Sequence, residues 1–332
     1  MDLIVDKLRK SYGRTVVVDD LSFGMEGPGV YALLGTNGAG KTTSIRMMLG
    51  MLAKDGGTVT WKGRPLNTDT CNVGYLAEER GLYPKYNLMD QLVYFASLRG
   101  VGKNEARQTI RKWSSMLELD EYLYPVKAAP SRGLFGGLHR GQLPGGQGAA
   151  VALPSKKADQ LSKGNQQKVQ FMAALISDPE LIILDEPMSG LDPVNTDLFR
   201  SVIKSEISRG KYLIMSSHQM ATVEEFCTDI TILHRSKTVL QGNLNEIKKS
   251  YGRVNLSLKT DVDISSYIEK SGAVLLGEKE HEYTLKVTGE AQANSLLAAL
   301  IAGGISVIRF DLTEPSLHEI FVEKVGEASN EE

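Results

Sequence analysis

The sequence predicts an α/β protein: a larger unit built on a mainly parallel sheet, then a smaller α+β unit. Three observations carry that prediction. The apolar runs LIILDEP (181–187) and YLIMSS (212–217) read as strands buried on both faces, the first with its two acids at the carboxyl end. Helical spacing appears elsewhere, as over 86–118, where Leu92, Tyr94, Phe95 and Leu98 are followed by Ile110, Trp113, Met116 and Leu117. After Gly242 the pattern changes to short alternating runs separated by short helical stretches.

Taken in order, residues 3–34 read as short strands, with VVVDDLSFGM and GVYALLG the most strand-like. In the second unit, VNLSLK (254–259) alternates as a strand, and Ile264, Tyr267 and Ile268 mark a short helix. AVLL (273–276) and YTLKV (283–287) read as strands, 291–302 as a helix and ISVIRF (305–310) as a strand. Leu317, Ile320 and Phe321 mark a closing helix. The order β-α-β-β-α-β is that of a ferredoxin-like unit. The expected organisation is therefore 1–242, then 250–325, then a disordered tail over 326–332 (GEASNEE).

One segment fits neither pattern. Residues 123–155 contain no acidic side chain, seven glycines and four prolines. That composition suits a surface-loop insertion rather than a helix or strand. A basic contact patch of Lys127, Arg132, His139 and Arg140 is the alternative.

Composition narrows the function. The 332 residues suggest about two domains. A net charge of -2 and a pI near 6.3 argue against a protein devoted to nucleic acid. Cys71 and Cys227 lack C-x-x-C spacing, which points to a reducing compartment and no structural zinc. The start MDLIVDKLRK alternates apolar and charged residues and is not a signal peptide. No run reaches the 18 or so apolar residues of a membrane span; the nearest stretch, 296–308, is broken by Gly303 and Gly304.

The chemistry is concentrated in a few short stretches. GTNGAGKT (35–42) matches G-x-x-x-x-G-K-[ST], follows an apolar strand and precedes a helical pattern at Ile45, Met48 and Leu49. Gly35, Gly38 and Gly40 let the backbone wrap phosphates, and the helix N-terminus adds a favourable dipole. Lys41 suits the β- and γ-phosphates, and the Thr42 hydroxyl suits Mg²⁺. Asp185 closes its strand where a second Mg²⁺ contact is needed, and Glu186 can polarise a water that attacks the γ-phosphate. A second anion site is predicted at LSKGNQQKV (161–169), where Ser162 precedes a helix opening near Gly164. The first loop already cradles phosphates, so this second site is most useful to a nucleotide held by another subunit.

GTNGAGKTT, LSKGNQQKV, LIILDEPMSGLDP and SSH resemble, in the family's order, the Walker A, signature, Walker B with D-loop, and switch-histidine motifs of ABC transporter ATPases. The resemblance spans about 1–242, apart from the insertion. It implies a P-loop ATPase cassette with a mainly parallel core, an antiparallel β subdomain and a helical subdomain. It also implies two subunits sandwiching two ATP molecules, with Ser162 and Gly164 facing the partner's γ-phosphate and His218 contacting the γ-phosphate. ATP-binding residues then comprise Gly35, Thr36, Asn37, Gly38, Ala39, Gly40, Lys41, Thr42 and Thr43, with Tyr12 stacking on adenine and Asp192 in the D-loop. Glu186 and His218 are the implied catalytic pair; Thr42, Asp185 and Glu78 are the implied Mg²⁺ contacts.

Two departures from the family pattern matter. The signature reads LSKGN where LSGGQ is commonest, with Ser162 and Gly164 kept. In VGYLAEERGLYP (73–84), Glu78 stands where most relatives have a glutamine, with Glu79 next to it. The EERGLYP form and the ending EPSLHEIFVEKV resemble type-2 ABC exporters, including the sodium-exporter-like subgroup. That resemblance implies an ATP-hydrolysing subunit on the cytoplasmic membrane face, a homodimer or a heterodimer with a second ATPase, and a separate integral-membrane permease. No nucleic acid is expected. The alternatives are a soluble ATPase of this type acting on ribosomes or DNA, and a hydrolysis-impaired ATP-binding regulator.

Overall fold

The computed structural model describes residues 1–79, 81–127 and 151–330. Two long strands open the chain, β1 (Leu3–Tyr12) and β2 (Thr15–Met25), paired antiparallel. β3 (Gly29–Gly35) runs through the glycine-rich turn into α1 (Lys41–Met48). β4 (Gly56–Trp61) and β5 (Arg64–Pro65) complete an antiparallel sheet of order β2-β1-β4-β5. β6 (Val73–Leu76) precedes a helical layer of α2 (Leu88–Leu98), α3 (Lys103–Met116) and α4 (Asp120–Leu123). The helical stretch expected over 86–118 is thus two helices, broken where Gly100 takes a φ of 76° that suits glycine.

β7 (Val126–Lys127) and β8 (Val151–Ala152) form a short antiparallel ladder. Then follow α5 (Lys163–Leu175), β9 (Leu181–Asp185), α6 (Pro193–Ser208), β10 (Tyr212–Ser217), α7 (Met220–Glu224), β11 (Asp229–His234), β12 (Lys237–Asn243) and α8 (Leu244–Tyr251).

The main sheet has the order β12-β11-β3-β10-β9-β6, parallel throughout except for β12. Its strands bury alternate residues in two cores. Val30, Ala32, Leu34, Ile182, Leu184, Leu213 and Met215 face the cluster that includes α5, α6 and α7 residues. Tyr31, Leu33, Leu181, Ile183, Tyr212 and Ile214 face α1 and the antiparallel sheet. Burial on both faces explains why these strands are apolar without alternation.

The second unit contains β13 (Asn255–Thr260), α9 (Ser265–Ser271), β14 (Val274–Lys279), β15 (Glu282–Lys286), α10 (Glu290–Ala302), β16 (Val307–Thr313) and α11 (Leu317–Asn330). Its antiparallel sheet has the order β14-β15-β13-β16, the ferredoxin-like arrangement. Leu256, Leu258, Tyr283, Leu285, Leu296 and Leu300 fill its core. The apolar run on β14 is exposed instead: Val274, Leu275 and Leu276 lie on the edge strand.

Two expectations need correction. The tail predicted as disordered over 326–332 is helical through Asn330. Lys324 pairs with Glu327 one helical turn on, at 2.7 Å, which supports that extension. The closing helix expected at Leu317, Ile320 and Phe321 is α11; Leu317 is buried in the larger unit's core, and α11 runs against α7, β11 and β12. The insertion expected over 123–155 begins and ends inside packed structure. Leu123 is a core residue, and the Ser155 hydroxyl accepts a hydrogen bond from Met89 N at 3.1 Å. Arg132, His139 and Arg140 of the alternative basic patch lie outside the described residues.

A candidate nucleotide-binding site at the carboxyl edge of the main sheet

The parallel strands β3, β10, β9 and β6 are neighbours, and the chemically distinctive residues sit at or just beyond their carboxyl ends. Gly35 ends β3, Asp185 ends β9, Ser217 ends β10 and Glu78 follows β6. Open α/β sheets bind ligands in this position. A cavity of about 300 Å³ opens there, lined by Val17, Asn37, Gly38, Gly40, Lys41, Thr42, Thr43, Glu78 and Glu186.

The loop backbone is shaped by glycine. Gly40 has a φ of 104°, and a Cβ there would lie 2.5 Å from Val17 O. That proximity lets β2 wall the loop and leaves the first N–H groups of α1 free for an anion. Lys41 is buried and donates to Gly35 O at 2.9 Å and Thr36 O at 3.2 Å. Ala39, also buried, closes the turn by donating to Thr36 O at 3.2 Å.

Lys41 Nζ lies 3.4 Å from Glu186 Oε1, with both side chains almost fully buried. The pair is electrostatic without hydrogen-bond geometry, and Oε1 has no hydrogen-bond partner. His218 Nδ1 lies 2.9 Å from Glu186 Oε2. An ionised carboxylate only accepts, so in this contact Nδ1 is the donor. Glu186 itself has a φ of 48°, an uncommon left-handed conformation for a side chain of this size.

Asp185 accepts from Ser216 Oγ at 2.5 Å and from Thr42 Oγ1 at 3.2 Å, both at Oδ1. Its Oδ2 is buried without a partner. Burial raises the Asp185 pKa; the Ser216 and Thr42 hydrogen bonds pull it back only in part. A hydroxyl beside a buried carboxylate with a free oxygen is a donor set that fits a hard divalent cation.

Ser216 was not singled out from the sequence. It also accepts the Glu186 N–H at 2.9 Å and so holds both acids in register. The available signal was a hydroxyl in the buried strand YLIMSS, since a buried polar group has a partner. Val17 and Gln167 were missed as well. Gln167 Nε2 donates to Pro187 O at 2.7 Å, tying α5 to the segment after Glu186.

Ser162, Gly164, Asp192 and Tyr12 lie outside the lining of this cavity. Ser162 caps α5, accepting from Asn165 N at 3.3 Å. Gly164 faces the start of α6: a Cβ there would lie 3.1 Å from Asn195 Nδ2. Asp192 caps α6 and accepts from Asn195 N at 2.9 Å and from Asn195 Nδ2 at 2.5 Å. Tyr12 is exposed at the β1–β2 turn, with Lys10 Nζ 5.4 Å from its ring centroid. Glu78 is exposed; its neighbour Glu79 pairs with Arg46 at 3.3 Å.

A strand, glycine loop and helix, with a buried acid pair two strands away, define a P-loop nucleoside triphosphatase. The comparisons with known proteins narrow that class. Residues 18–189 match the ABC transporter family, and residues 242–325 match the family described as ATP-binding protein DrrA1-3-like, C-terminal domain. The ABC transporter ATP-binding protein YhaQ of Bacillus subtilis is 39% identical over 325 residues, covering 98% of each chain. The linearmycin resistance ATP-binding protein LnrL of Bacillus subtilis is 25% identical over 98% of each chain. The Nod factor export ATP-binding protein I of Paraburkholderia xenovorans is 28% identical, over 71% of this chain and 69% of its own. A solved structure of an ATP binding subunit of an ABC transporter superposes with a TM-score of 0.61 at 25% identity, covering 76% of this chain and 93% of that one.

The chain belongs to the ABC transporter family and is an ATP-binding, ATP-hydrolysing subunit. ABC ATP-binding subunits pair with membrane permeases. The alternative of an ATPase acting on ribosomes or DNA is not favoured, because the relatives are transporter subunits. Among the described residues no helix is long and apolar enough to cross a membrane.

Proposed function

We propose that this chain energises an exporter from the cytoplasmic face of a membrane, as a peripheral ATPase dimer on a separate permease. Relatives named for Nod factor export and linearmycin resistance support the direction of transport. The observation that carries the catalytic reading is the row Lys41–Glu186–His218 beside the glycine loop, with Lys41 and Glu186 buried and His218 exposed.

In this reading the backbone of Gly35, Thr36, Asn37, Gly38, Ala39 and Gly40 wraps the phosphates, Lys41 neutralises the β- and γ-phosphates, and Thr43 adds a hydroxyl. Thr42, Asp185 and Glu78 are the residues that would hold Mg²⁺. When bound, the ion would offset charge on the β- and γ-phosphates. Glu186 takes the proton of the attacking water, and the products are ADP and inorganic phosphate. His218 orients Glu186 and contacts the γ-phosphate.

Ser162 and Gly164 serve the nucleotide of the partner subunit, Asp192 fixes the neighbouring turn, and Tyr12 stacks on adenine. ATP binding closes the dimer and hydrolysis reopens it. Division at 1–242 and 250–325 assigns catalysis to the first unit and an accessory role to the second.

The test is purification of the tagged chain from membranes with whatever it binds. The expected outcome is a multi-span membrane protein that co-purifies and alters the Mg-ATP turnover of the chain. Co-sedimentation with ribosomes or DNA, with no membrane partner, would overturn the transporter reading.

A further inference from the structure

Helix α7 begins two residues after His218 and has only five residues. A helix of one turn and a half has no stability of its own, so its position is set by what it touches. Met220 and Val223 anchor it in the main core, in the same cluster as Leu317 of α11. Its last residue, Glu224, is mostly buried and holds two elements at once. Oε1 accepts from Lys248 Nζ of α8 at 2.6 Å. Oε2 accepts from Leu317 N, the first N–H of α11, at 3.1 Å.

The same turn of α11 is gripped from the other unit. Ser316 and Glu319 form a reciprocal cap: Ser316 N donates to Glu319 Oε2 at 2.8 Å, and Glu319 N donates to Ser316 Oγ at 3.3 Å. Asn255 of β13 donates through Nδ2 to both Glu319 carboxylate oxygens at 2.9 Å. A polar chain therefore runs from the small sheet through the first turn of α11 to α7, which begins two residues after His218.

We propose that Glu224 is a positioning residue for His218, and that it takes its position from the first turn of α11. Seating of the small sheet then sets the rate of ATP hydrolysis. The inference rests on the proposed roles of His218 and Glu186. Charge-assisted bonds to a helix N-terminus are among the stronger polar contacts, and they are directional. Displacement of α11 removes a donor from Glu224 and frees α7 to shift, which lengthens the His218–Glu186 hydrogen bond.

The test uses the full chain, with kcat and KM for Mg-ATP, ATP affinity, melting temperature and the imidazole NMR signals. Glu224→Ala should lower kcat roughly three- to ten-fold, the scale on which a packed network modulates a distant site. KM and ATP affinity should stay near wild type. Glu224→Gln keeps an acceptor for Leu317 N and should recover most of the rate. Asn255→Ala should act in the same direction, and the double variant should be no slower than the slower single variant.

The chain has five histidines, so His218→Ala identifies the His218 signals, which Glu224→Ala should shift. Unmoved His218 signals, or a wild-type kcat in Glu224→Ala, would overturn the proposal. Where Glu224→Ala fails to fold, a wild-type kcat in Asn255→Ala does the same. A fully active His218→Ala would instead overturn the catalytic reading on which the inference rests.

Discussion

Glu186 is held from both sides: His218 Nδ1 bonds one carboxylate oxygen at 2.9 Å, while Lys41 Nζ faces the other at 3.4 Å. The carboxylate is thus oriented by a hydrogen bond and faced by a cation, and Glu186 lines the cavity at the glycine loop. This geometry distinguishes Glu186 from Asp185, which lies one residue earlier and is engaged with two hydroxyls.

Glu186→Gln should preserve ATP affinity and abolish steady-state turnover. The amide keeps the shape of the side chain but cannot accept a proton from water. General-base catalysis is typically worth about 10²–10⁴ in rate. Phosphate release measures the loss, and sizing chromatography with Mg-ATP should show accumulated dimer. Unchanged turnover would remove Glu186 from the reaction.

Asp185 ties stability to pH with a defined sign. Burial raises its pKa above 3.8, so the folded chain binds a proton that the unfolded chain has already lost. This contribution favours folding below the ordinary carboxylate value and is lost as pH rises through the raised one. Asp185→Asn removes the buried charge. Relative to wild type, the nucleotide-free variant should melt at higher temperature at neutral pH, with the difference shrinking in acid. Mg-dependent hydrolysis should be lost. Urea unfolding across that pH range checks the slope; a variant less stable than wild type at neutral pH would show that the two hydroxyl bonds outweigh the burial cost.

The glycine loop, the acid pair and His218 could be picked out because each lies in a short local motif next to a recognisable strand. Their convergence follows from the parallel order of β3, β10, β9 and β6, which puts their carboxyl ends on one edge. Ser216 was hidden because a serine in a strand reads the same whether it supports a carboxylate or faces water. The Glu224–Leu317 contact spans 93 positions, and no periodicity encodes a pairing that remote. AVLL shows the converse limit: its apolar residues mark a strand correctly, but they cannot say that β14 lies exposed at an edge. The polar tail misled in the same way, since Glu and Ala suit a solvated helix as well as a coil.

Residues 128–150 and the flanks around them should behave differently. Val126 and Lys127 pair with Val151 and Ala152 as the two arms of a hairpin, so a short Asn-Gly turn can join Lys127 to Val151. That replacement should leave the melting temperature and ATP affinity nearly unchanged. Deleting 123–155 removes Leu123 from the core and the Ser155 hydroxyl from Met89 N, and should cost about 2–5 kcal/mol. Equal stability of the two variants in urea unfolding would show that the flanks contribute nothing.

Lys41 and Ser162 provide the sharpest test of a shared site. Ser162 caps α5 and lies outside the lining of the loop cavity in its own chain. If it serves the partner's nucleotide, Lys41→Ala and Ser162→Arg each damage both sites of a homodimer, and each purified variant should be nearly inactive. In a mixed dimer the defects segregate. One site combines both, while the other joins an intact glycine loop to an intact Ser162 and Gly164. Mixing the variants should therefore restore part of the activity, below wild type. Dimers that need two working sites turn over poorly even then, so ATP-dependent dimerisation of the mixture is followed in parallel by sizing chromatography. Melting curves of each variant confirm folding, because Lys41→Ala removes the cation facing buried Glu186. Failure to recover in both assays weighs against the shared site, and full activity of Ser162→Arg alone rules it out.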